Sequence, residues 1–317
     1  MLGDGVTGSP DPLASMNRTA RYAPALLLAA ISFAAKDPPS PVEAVVLGIA
    51  QDGGIPQVNC HAYCEEVRKD PSKRRLVASL GLIDHAAGKR FLIDATPDFE
   101  EQVQRLGGLP DAILLTHAHI GHYLGLAQLG REVANTRNLR VLCTASMAKF
   151  LRSNGPWSRL VQNGNISIDE ILPGNPVSLT ERLRVTALTV PHRDEESDTV
   201  AFLVQGPSRR RLLWLPDIDR WEKWDRPIAR LLAEVSIAYL DGTFYSANEI
   251  PGRPISDIPH PLVPDTVSLI SGKGKPTATV FFVHLNHTNR LLWDKQAAAA
   301  LKTQGFFVAK EGARHPL

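Results

Sequence analysis

Several features that mark other protein classes are scarce or missing in this chain of 317 residues. It has only three cysteines, and Cys60 and Cys64 alone fall short of the four ligands that a closed structural zinc site needs. The net charge is only +2, and no basic run is interleaved with aromatic residues, so nucleic acid is not indicated as a partner. The Gly-rich segment 51–57 lacks both the GxGxxG order and a P-loop lysine, so it does not predict a phosphate cradle.

Long apolar runs are also missing, with one short exception near the N-terminus. Two arginines precede the apolar segment 23–35, whose residues, about 13 in number, fall short of the roughly 20 that cross a bilayer. We therefore predict a secretory signal peptide cleaved near Ala34 or Ala35, with residues 1–15 as an upstream extension. An uncleaved anchor or a buried helix is the alternative. The mature protein is expected in the periplasm or outside the cell, without a stable membrane anchor.

The rest of the chain has the composition of a globular protein, with 44% hydrophobic and 21% charged residues. Residues 36–41 are predicted to form a linker, and residues 42–317 a single domain. If the protein is exported, Cys60 and Cys64 could form a disulfide in the oxidising compartment. Cys143 follows apolar neighbours and is expected to be a buried small residue.

Within this domain, predicted strands alternate with predicted helices, and hairpins interrupt the alternation in both halves. Strands are predicted at residues 42–50, 75–85, 90–95, 111–116, 139–144, 177–179, 183–190, 199–204, 211–215, 235–240, 277–284 and 305–310. Helices are predicted at residues 97–106, 120–129, 146–153, 226–233, 259–271 and 293–304. This order favours an α/β fold with two mixed sheets covered by helices, a four-layer αβ/βα sandwich, over an open parallel sheet.

A cluster of histidines follows the predicted strand 111–116. His117, His119 and His122 are three of the ten histidines and lie within six residues. Neutral imidazoles in such a cluster suit zinc, iron or nickel, whereas carboxylates alone would suit magnesium or calcium. Three solvated loop histidines are the alternative. Further candidate ligands at predicted strand ends favour a metal site, namely His192, Asp217 and His287.

The segment THAHIGH, residues 116–122, resembles the HxHxDH signature of the metallo-β-lactamase fold. That resemblance implies the four-layer sandwich and a first metal ion held by His117, His119 and His192. It also implies that Asp217 contacts both this ion and a second one. Zinc is the expected metal, and iron is the alternative.

The second ion is where this chain departs from the signature, because Gly121 stands at the position of the aspartate that serves it. The resemblance implies that His122 and His287 hold this ion together with Asp217. Without the aspartate we expect one tight ion and a second that is weak or absent. We expect Gly121→Asp to raise occupancy of the second site, provided that the turn does not need glycine for a positive φ. Another residue could also complete the site, and the candidates are Asp52, His61 and Asp241.

The implied chemistry is hydrolysis. A bound divalent zinc lowers the pKa of its water from about 15.7 to about 7 and polarises the bond to be cleaved. Asp217 and His287 are the predicted catalytic residues, and Asp217 could orient the water. The substrate would be a small molecule or a peptide, because nothing in the sequence defines a pocket more closely.

Three further segments resemble motifs of the B protein family of pyrroloquinoline quinone biosynthesis. They are GIAQDGGIPQVNC at residues 48–60, DGTF at residues 241–244 and HLNHTN at residues 284–289. That family is cytoplasmic, and it holds a structural zinc with a CxCxxC cluster, of which only Cys60 and Cys64 remain here. Its metal loop also differs from residues 117–122. The chain therefore resembles an exported relative of that family.

Four functions fit these observations. An exported metal-dependent hydrolase of unknown substrate is the leading hypothesis, and a β-lactamase is one form of it. An iron-dependent oxidative enzyme related to pyrroloquinoline quinone biosynthesis is the next. A non-catalytic metal-binding accessory protein is the last, and Gly121 is the feature that supports it.

Overall fold

Seven strands form the first of two mixed sheets in the computed structural model, which describes residues 40–250, 252, 254, 258–274 and 276–317. The predicted leader and residues 36–39 of the predicted linker lie outside the described residues. The strands of this sheet are β1 (Val42–Gly48), β2 (Ser79–Asp84), β3 (Lys89–Ile93), β4 (Ala112–Leu114), β5 (Leu139–Cys143), β6 (Ile166–Glu170) and β14 (Arg314–Pro316). Their order is β14-β1-β2-β3-β4-β5-β6. The pairs from β14 to β3 are antiparallel, and those from β3 to β6 are parallel.

The second sheet repeats this plan with strands from the second half of the chain. They are β7 (Pro176–Ser178), β8 (Arg184–Val190), β9 (Thr199–Gln205), β10 (Arg211–Leu215), β11 (Ile237–Asp241), β12 (Thr279–Val283) and β13 (Phe306–Val308). Their order is β13-β12-β11-β10-β9-β8-β7. Here β7 to β10 are antiparallel neighbours, and β10 to β13 are parallel. Each half therefore combines hairpins with parallel strands.

The helices connect and cover these strands. They are α1 (Ala62–Lys69), α2 (Phe99–Leu106), α3 (Ile120–Tyr123), α4 (Ala145–Ser153), α5 (Trp157–Gln162), α6 (Ile228–Glu234), α7 (Val263–Ser271), α8 (Arg290–Trp293) and α9 (Lys295–Thr303). In the described part of the chain, none of the helices has both the length and the apolar character needed to cross a membrane.

The side chains of the first sheet point alternately into two cores. Along β1, Val42, Ala44 and Val46 pack into the large core that contains most of the second sheet. Val45 and Leu47 point the other way and pack with residues of α2, α4 and α5. A strand that is buried on both faces needs a layer on each side. The predicted fold class, two mixed sheets with helices on their outer faces, is confirmed.

Several element boundaries differ from the sequence prediction. The helix predicted at 120–129 is α-helical only in α3 and continues as a 3-10 helix at Leu124–Leu129. The helix predicted at 293–304 is interrupted by Asp294, whose carboxylate accepts hydrogen bonds from the first turn of α9 and so starts a new helix. The prediction missed α1, α5, β6 and β14. The last is a three-residue edge strand with no apolar pattern to reveal it.

The cysteines are placed as the sequence indicated. Cys60 and Cys64 are joined by a disulfide at the start of α1, with Cα atoms 5.6 Å apart. Cys143 is a free, buried thiol at the end of β5.

Candidate metal centre

The candidate ligands come together where strands of both sheets end. His117 follows β4, His192 follows β8 and Asp217 follows β10. His284 comes directly after β12, and Asp52 lies in the loop after β1. Because the carboxyl ends of parallel neighbours share one edge of a sheet, separate strands deliver these side chains to one place.

The first group of ligands contains the three histidines that the sequence predicted for the first ion. His117 and His119 lie on one turn, with Nε2 of the first 2.8 Å from Nδ1 of the second. The His192 ring lies 5.4 Å from that of His117 and 5.0 Å from that of His119. One nitrogen from each of the three lies within 4.8 Å of the others, a spacing at which they could hold one metal ion. We call this set the three-histidine group.

The second group consists of Asp52, His122 and His284. Oδ1 of Asp52 lies 3.5 Å from Nε2 of His122 and 3.7 Å from Nε2 of His284. The two imidazole rings are stacked, with centroids 5.4 Å apart. We call this set the aspartate–histidine group.

Asp217 lies between the two groups, as the sequence predicted for a residue that contacts both ions. Its Oδ2 is 3.3 Å from Nε2 of His122, and its Oδ1 is 3.7 Å from Nε2 of His192. The side chain is almost wholly buried. A carboxylate with one oxygen toward each group has the geometry of a bridging ligand.

The ligand atoms of both groups are placed to bind a metal ion and not to hydrogen-bond with one another. Five buried atoms directed to this place have no hydrogen-bond partner: Oδ1 of Asp52, Nε2 of His122, His192 and His284, and Oδ2 of Asp217. An unpaired buried polar atom costs about 1–3 kcal/mol, so a cluster of five is not explained by packing. Imidazole nitrogens with few carboxylates suit zinc or iron rather than magnesium or calcium.

A buried carboxylate orients His122 from behind. Oδ2 of Asp94 lies 2.9 Å from Nδ1 of His122, which leaves Nε2 directed at the centre. Asp94 in turn accepts hydrogen bonds from the backbone N–H of Thr116, at 2.8 Å, and from its hydroxyl. Asp94 and His284 have φ of +69° and +62°. Such left-handed backbone is uncommon outside glycine and tends to occur at functional sites.

The protonation states favour ligation in the three-histidine group. Burial lowers the pKa of His117 well below its ordinary value, and repulsion from neighbouring histidines adds to this. Burial likewise lowers the pKa of His192. Burial would raise the pKa of Asp52, but the nearby His122 and His284 outweigh it and hold that pKa well below the usual range. His117 and His192 of the three-histidine group are therefore neutral imidazoles, and Asp52 is an ionised carboxylate.

A sixth histidine, His260, lies at the opening of the centre, and it was not among the residues predicted for the site. Its Nδ1 is 2.7 Å from Oδ2 of Asp241, and its ring is 5.2 Å from that of His192. Asp241 is fixed by the Thr243 hydroxyl at 2.7 Å and by the backbone N–H of Ile218 at 3.0 Å. Burial would lower the pKa of His260, but the Asp241 carboxylate outweighs it and raises that pKa. The DGTF motif pointed to the Asp241 carboxylate, but no sequence pattern pointed to His260 as its partner.

The predicted role of His287 as a ligand of the second ion needs correction, because His284 lies there instead. Among the described residues, no group suited to a metal includes His287. The left-handed backbone of His284 turns its side chain inward directly after β12. His287 lies on the way to α8 and lines a neighbouring cavity of about 670 Å³ together with His61, Tyr63 and Trp293. His61, one of the alternative ligands predicted for the second ion, therefore also lies outside the centre.

The expectation that Gly121→Asp would fill the second site is also wrong. A Cβ built on Gly121 would lie 2.2 Å from Oδ1 of Asp52 and 2.6 Å from its Cα, closer than real Cβ atoms approach such neighbours. Gly121 lies in α3, and its φ is not among the positive values of the described glycines. Glycine is needed here for space and not for backbone conformation.

The comparisons with known proteins identify the superfamily and the fold. Residues 89–309 match the family model of the beta-lactamase superfamily domain, and the chain belongs to that superfamily. The fold is that of the metallo-β-lactamases.

More particularly, the chain is similar to coenzyme PQQ synthesis protein B. It is 24% identical over 311 residues to that protein from Methylobacterium sp., covering 86% of this chain and 98% of the relative. The crystal structure of Zn²⁺-bound PqqB from Methylobacterium extorquens aligns with a TM-score of 0.73 at 20% identity, covering 87% of this chain and all of that one.

Two other similar proteins have names that indicate different activities. A diphosphatase of the PhnP family has the same fold, with a TM-score of 0.65 at 22% identity over 86% of this chain and 96% of that one. An octanoyltransferase from Porphyromonas gingivalis is 36% identical over 109 residues, covering 34% of this chain. The match spans only 22% of the length of that relative.

Proposed function

We propose that this protein is an exported metal-dependent hydrolase that uses a metal-activated water on a small-molecule or peptide substrate. One observation carries the proposal: five unpartnered ligand atoms converge beside a histidine–aspartate pair at the opening of the centre. The superfamily includes hydrolases of the same fold, such as the diphosphatase, which supports the reaction class.

Different residues of the centre are placed to bind the metal ions, to orient the water and to hold a proton. The three-histidine group would hold one ion and the aspartate–histidine group another, with Asp217 between them. A bound zinc supplies a Lewis acid and a water whose pKa is about 7. Asp217 would accept a hydrogen bond from that water and so orient it. His260, held by Asp241, is placed to hold a proton for the leaving group.

The opening of the centre favours a polar or anionic substrate group. A small cavity of about 210 Å³ is lined by Asp52, His260 and Arg193, with Gln57 and Asn286 beside them. Arg193 places a cation next to the ligand His192. The cavity of about 670 Å³ that contains His287 adjoins this opening, since segments 57–60 and 286–288 line one cavity or the other. The larger cavity would take the rest of the substrate.

The test is turnover by zinc-loaded protein with p-nitrophenyl phosphodiesters, thioesters and a chromogenic β-lactam. We expect hydrolysis of at least one class. We also expect His260→Ala to lower kcat by about 100- to 10,000-fold, as is typical for loss of a general acid, with unchanged metal content. His85→Ala is the matched control, because His85 is exposed and paired with Glu43. Equal rates in His260→Ala and wild type would contradict the role given to His260. If the fully loaded protein turned over none of the three substrate classes, that result would contradict the hydrolase proposal.

A second candidate function is an oxidative step like that implied for the quinone-biosynthesis family. Similarity to PQQ synthesis protein B over 86% of the chain favours it, and imidazole sites also bind iron. Protein loaded with iron(II) should then consume oxygen in the presence of substrate peptides, and zinc-loaded protein should not. Equal behaviour of the two loaded forms would rule this candidate out.

Export forms part of the proposal and has its own test. The predicted signal peptide motivates it, and the Cys60–Cys64 disulfide supports an oxidising compartment. Mass spectrometry of the mature chain should show an N-terminus between about residues 34 and 37. A mature chain that retains Met16 would contradict export by this route.

A further inference from the structure

We propose that Asp52 supplies the carboxylate that the histidine motif lacks, so that a ligand of the second ion has moved from position 121 to the loop after β1. In the metallo-β-lactamase signature this carboxylate follows the second histidine by two positions. Here it comes from a residue 69 positions earlier in the chain, and the glycine at 121 is what admits it.

The two positions compete for the same space. The Cβ of any side chain at 121 would fall 2.2 Å from the Oδ1 of Asp52 and 2.9 Å from its Cγ. The Asp52 carboxylate therefore already fills the space where a side chain at 121 would begin. An aspartate can occupy this space from either position, but not from both.

The loop that carries Asp52 is attached to the segment that carries His284. The N–H of Gln51 donates to the carbonyl of Leu285 at 2.9 Å, and Nδ2 of Asn286 donates to Oε1 of Gln51 at 2.6 Å. Ala50 bridges both Val77 and Leu285. Backbone contacts to both sheets thus fix Asp52 beside the ring nitrogens that would share its ion.

A purely structural ion pair with His122 explains the position of Asp52 less well. Asp94 already satisfies Nδ1 of His122 at 2.9 Å. The Oδ1 of Asp52 is buried and has no hydrogen-bond partner, and neither has the Nε2 that it faces in each histidine. The Oδ1 of Asp52 faces these two nitrogens at 3.5 and 3.7 Å, which is long for a hydrogen bond and suits three ligands that share one cation.

The consequence is a second site as complete as the first. Asp52 restores the negative charge that Gly121 removed, and Asp217 is shared by both ions. The expectation of one tight and one weak ion is thereby replaced by two tight ions. This inference concerns ion content, so it can be tested whether or not the hydrolase proposal holds.

The experiment measures zinc per chain after loading and dialysis, together with absorption of cobalt-substituted protein. Wild type should hold about two ions, and the isosteric Asp52→Asn about one. Gly121→Ala should also hold about one ion, because its methyl group displaces Asp52. The double variant Asp52→Gly with Gly121→Asp should return to about two.

Asp70→Asn, which changes an exposed carboxylate outside the centre, is the matched control and should leave two ions. Circular dichroism identifies any variant that has not folded, and Asp52→Asn keeps the test decisive if a glycine variant fails. A second ion that survives Asp52→Asn would overturn the proposal. So would a folded double variant that holds only one ion.

Discussion

The two ligand groups of the centre are built in different ways. The three-histidine group takes His117 and His119 from a single turn and adds one histidine from the second sheet. The aspartate–histidine group draws its members from three segments separated by 69 and 161 residues, at Asp52, His122 and His284. Sequence spacing therefore describes two of the three members of the first group, whereas only the fold describes the second group.

This difference explains why one group keeps its motif and the other does not. Two histidines on one turn can converge only if their spacing is kept, since the local backbone sets the distance between them. A ligand that reaches the centre across space can come from any segment that ends there. The second group requires a carboxylate at one place in the centre. Either position 121 or position 52 can supply it.

The largest expected effect comes from the three-histidine group. His117→Ala or His192→Ala should remove the first ion and lower any hydrolytic kcat/KM by more than about 100-fold, beyond the loss typical of outer partners of a metal. His85→Ala should leave both unchanged. Zinc content and rate are measured on the same samples. Full zinc content in His117→Ala would mean that this group does not form the tighter site.

The next effect separates His284 from His287 in the same motif. His284→Ala should lose the second ion, because its Nε2 faces Asp52 at 3.7 Å. His287→Ala should keep both ions and instead raise KM, because His287 lines the neighbouring cavity. Metal analysis with steady-state kinetics tests the pair. Loss of an ion in His287→Ala alone would restore the original sequence prediction.

A smaller effect on metal affinity is expected from Asp94, which contacts His122 of the aspartate–histidine group. Asp94→Asn keeps the shape of the side chain but removes the charge that orients Nδ1 of His122. Loss of such an outer partner typically weakens metal affinity by about 10- to 100-fold. Competition with a chelator should show this weakening for the second ion and little change for the first. Equal weakening of both ions would mean that Asp94 supports the centre only through general stability.

The sequence predicted the fold class and all three members of the three-histidine group, for physical reasons that also limit what it can predict. Alternating apolar residues reveal strands that pack into two cores, and clustered histidines on a turn reveal a ligand set. His284 was missed because its inward direction depends on a left-handed backbone that nothing in HLNHTN announces. Asp52 was only one of three alternatives, because its distance from Gly121 exists solely in the folded chain.

The smallest expected effect concerns the cysteines, because neither ligand group contains one. Burial raises the pKa of the Cys143 thiol to about 12, so almost none of it is the reactive thiolate at pH 8. Cys60 and Cys64 are paired with each other. Alkylation with iodoacetamide at pH 8 should therefore label no thiol in the native protein, whether metal is present or removed. Unfolding should expose one thiol, and unfolding with a reductant should expose all three cysteines. A thiol that reacts only after metal removal would show that a cysteine is a ligand, and the division into two groups without sulfur would have to be redrawn.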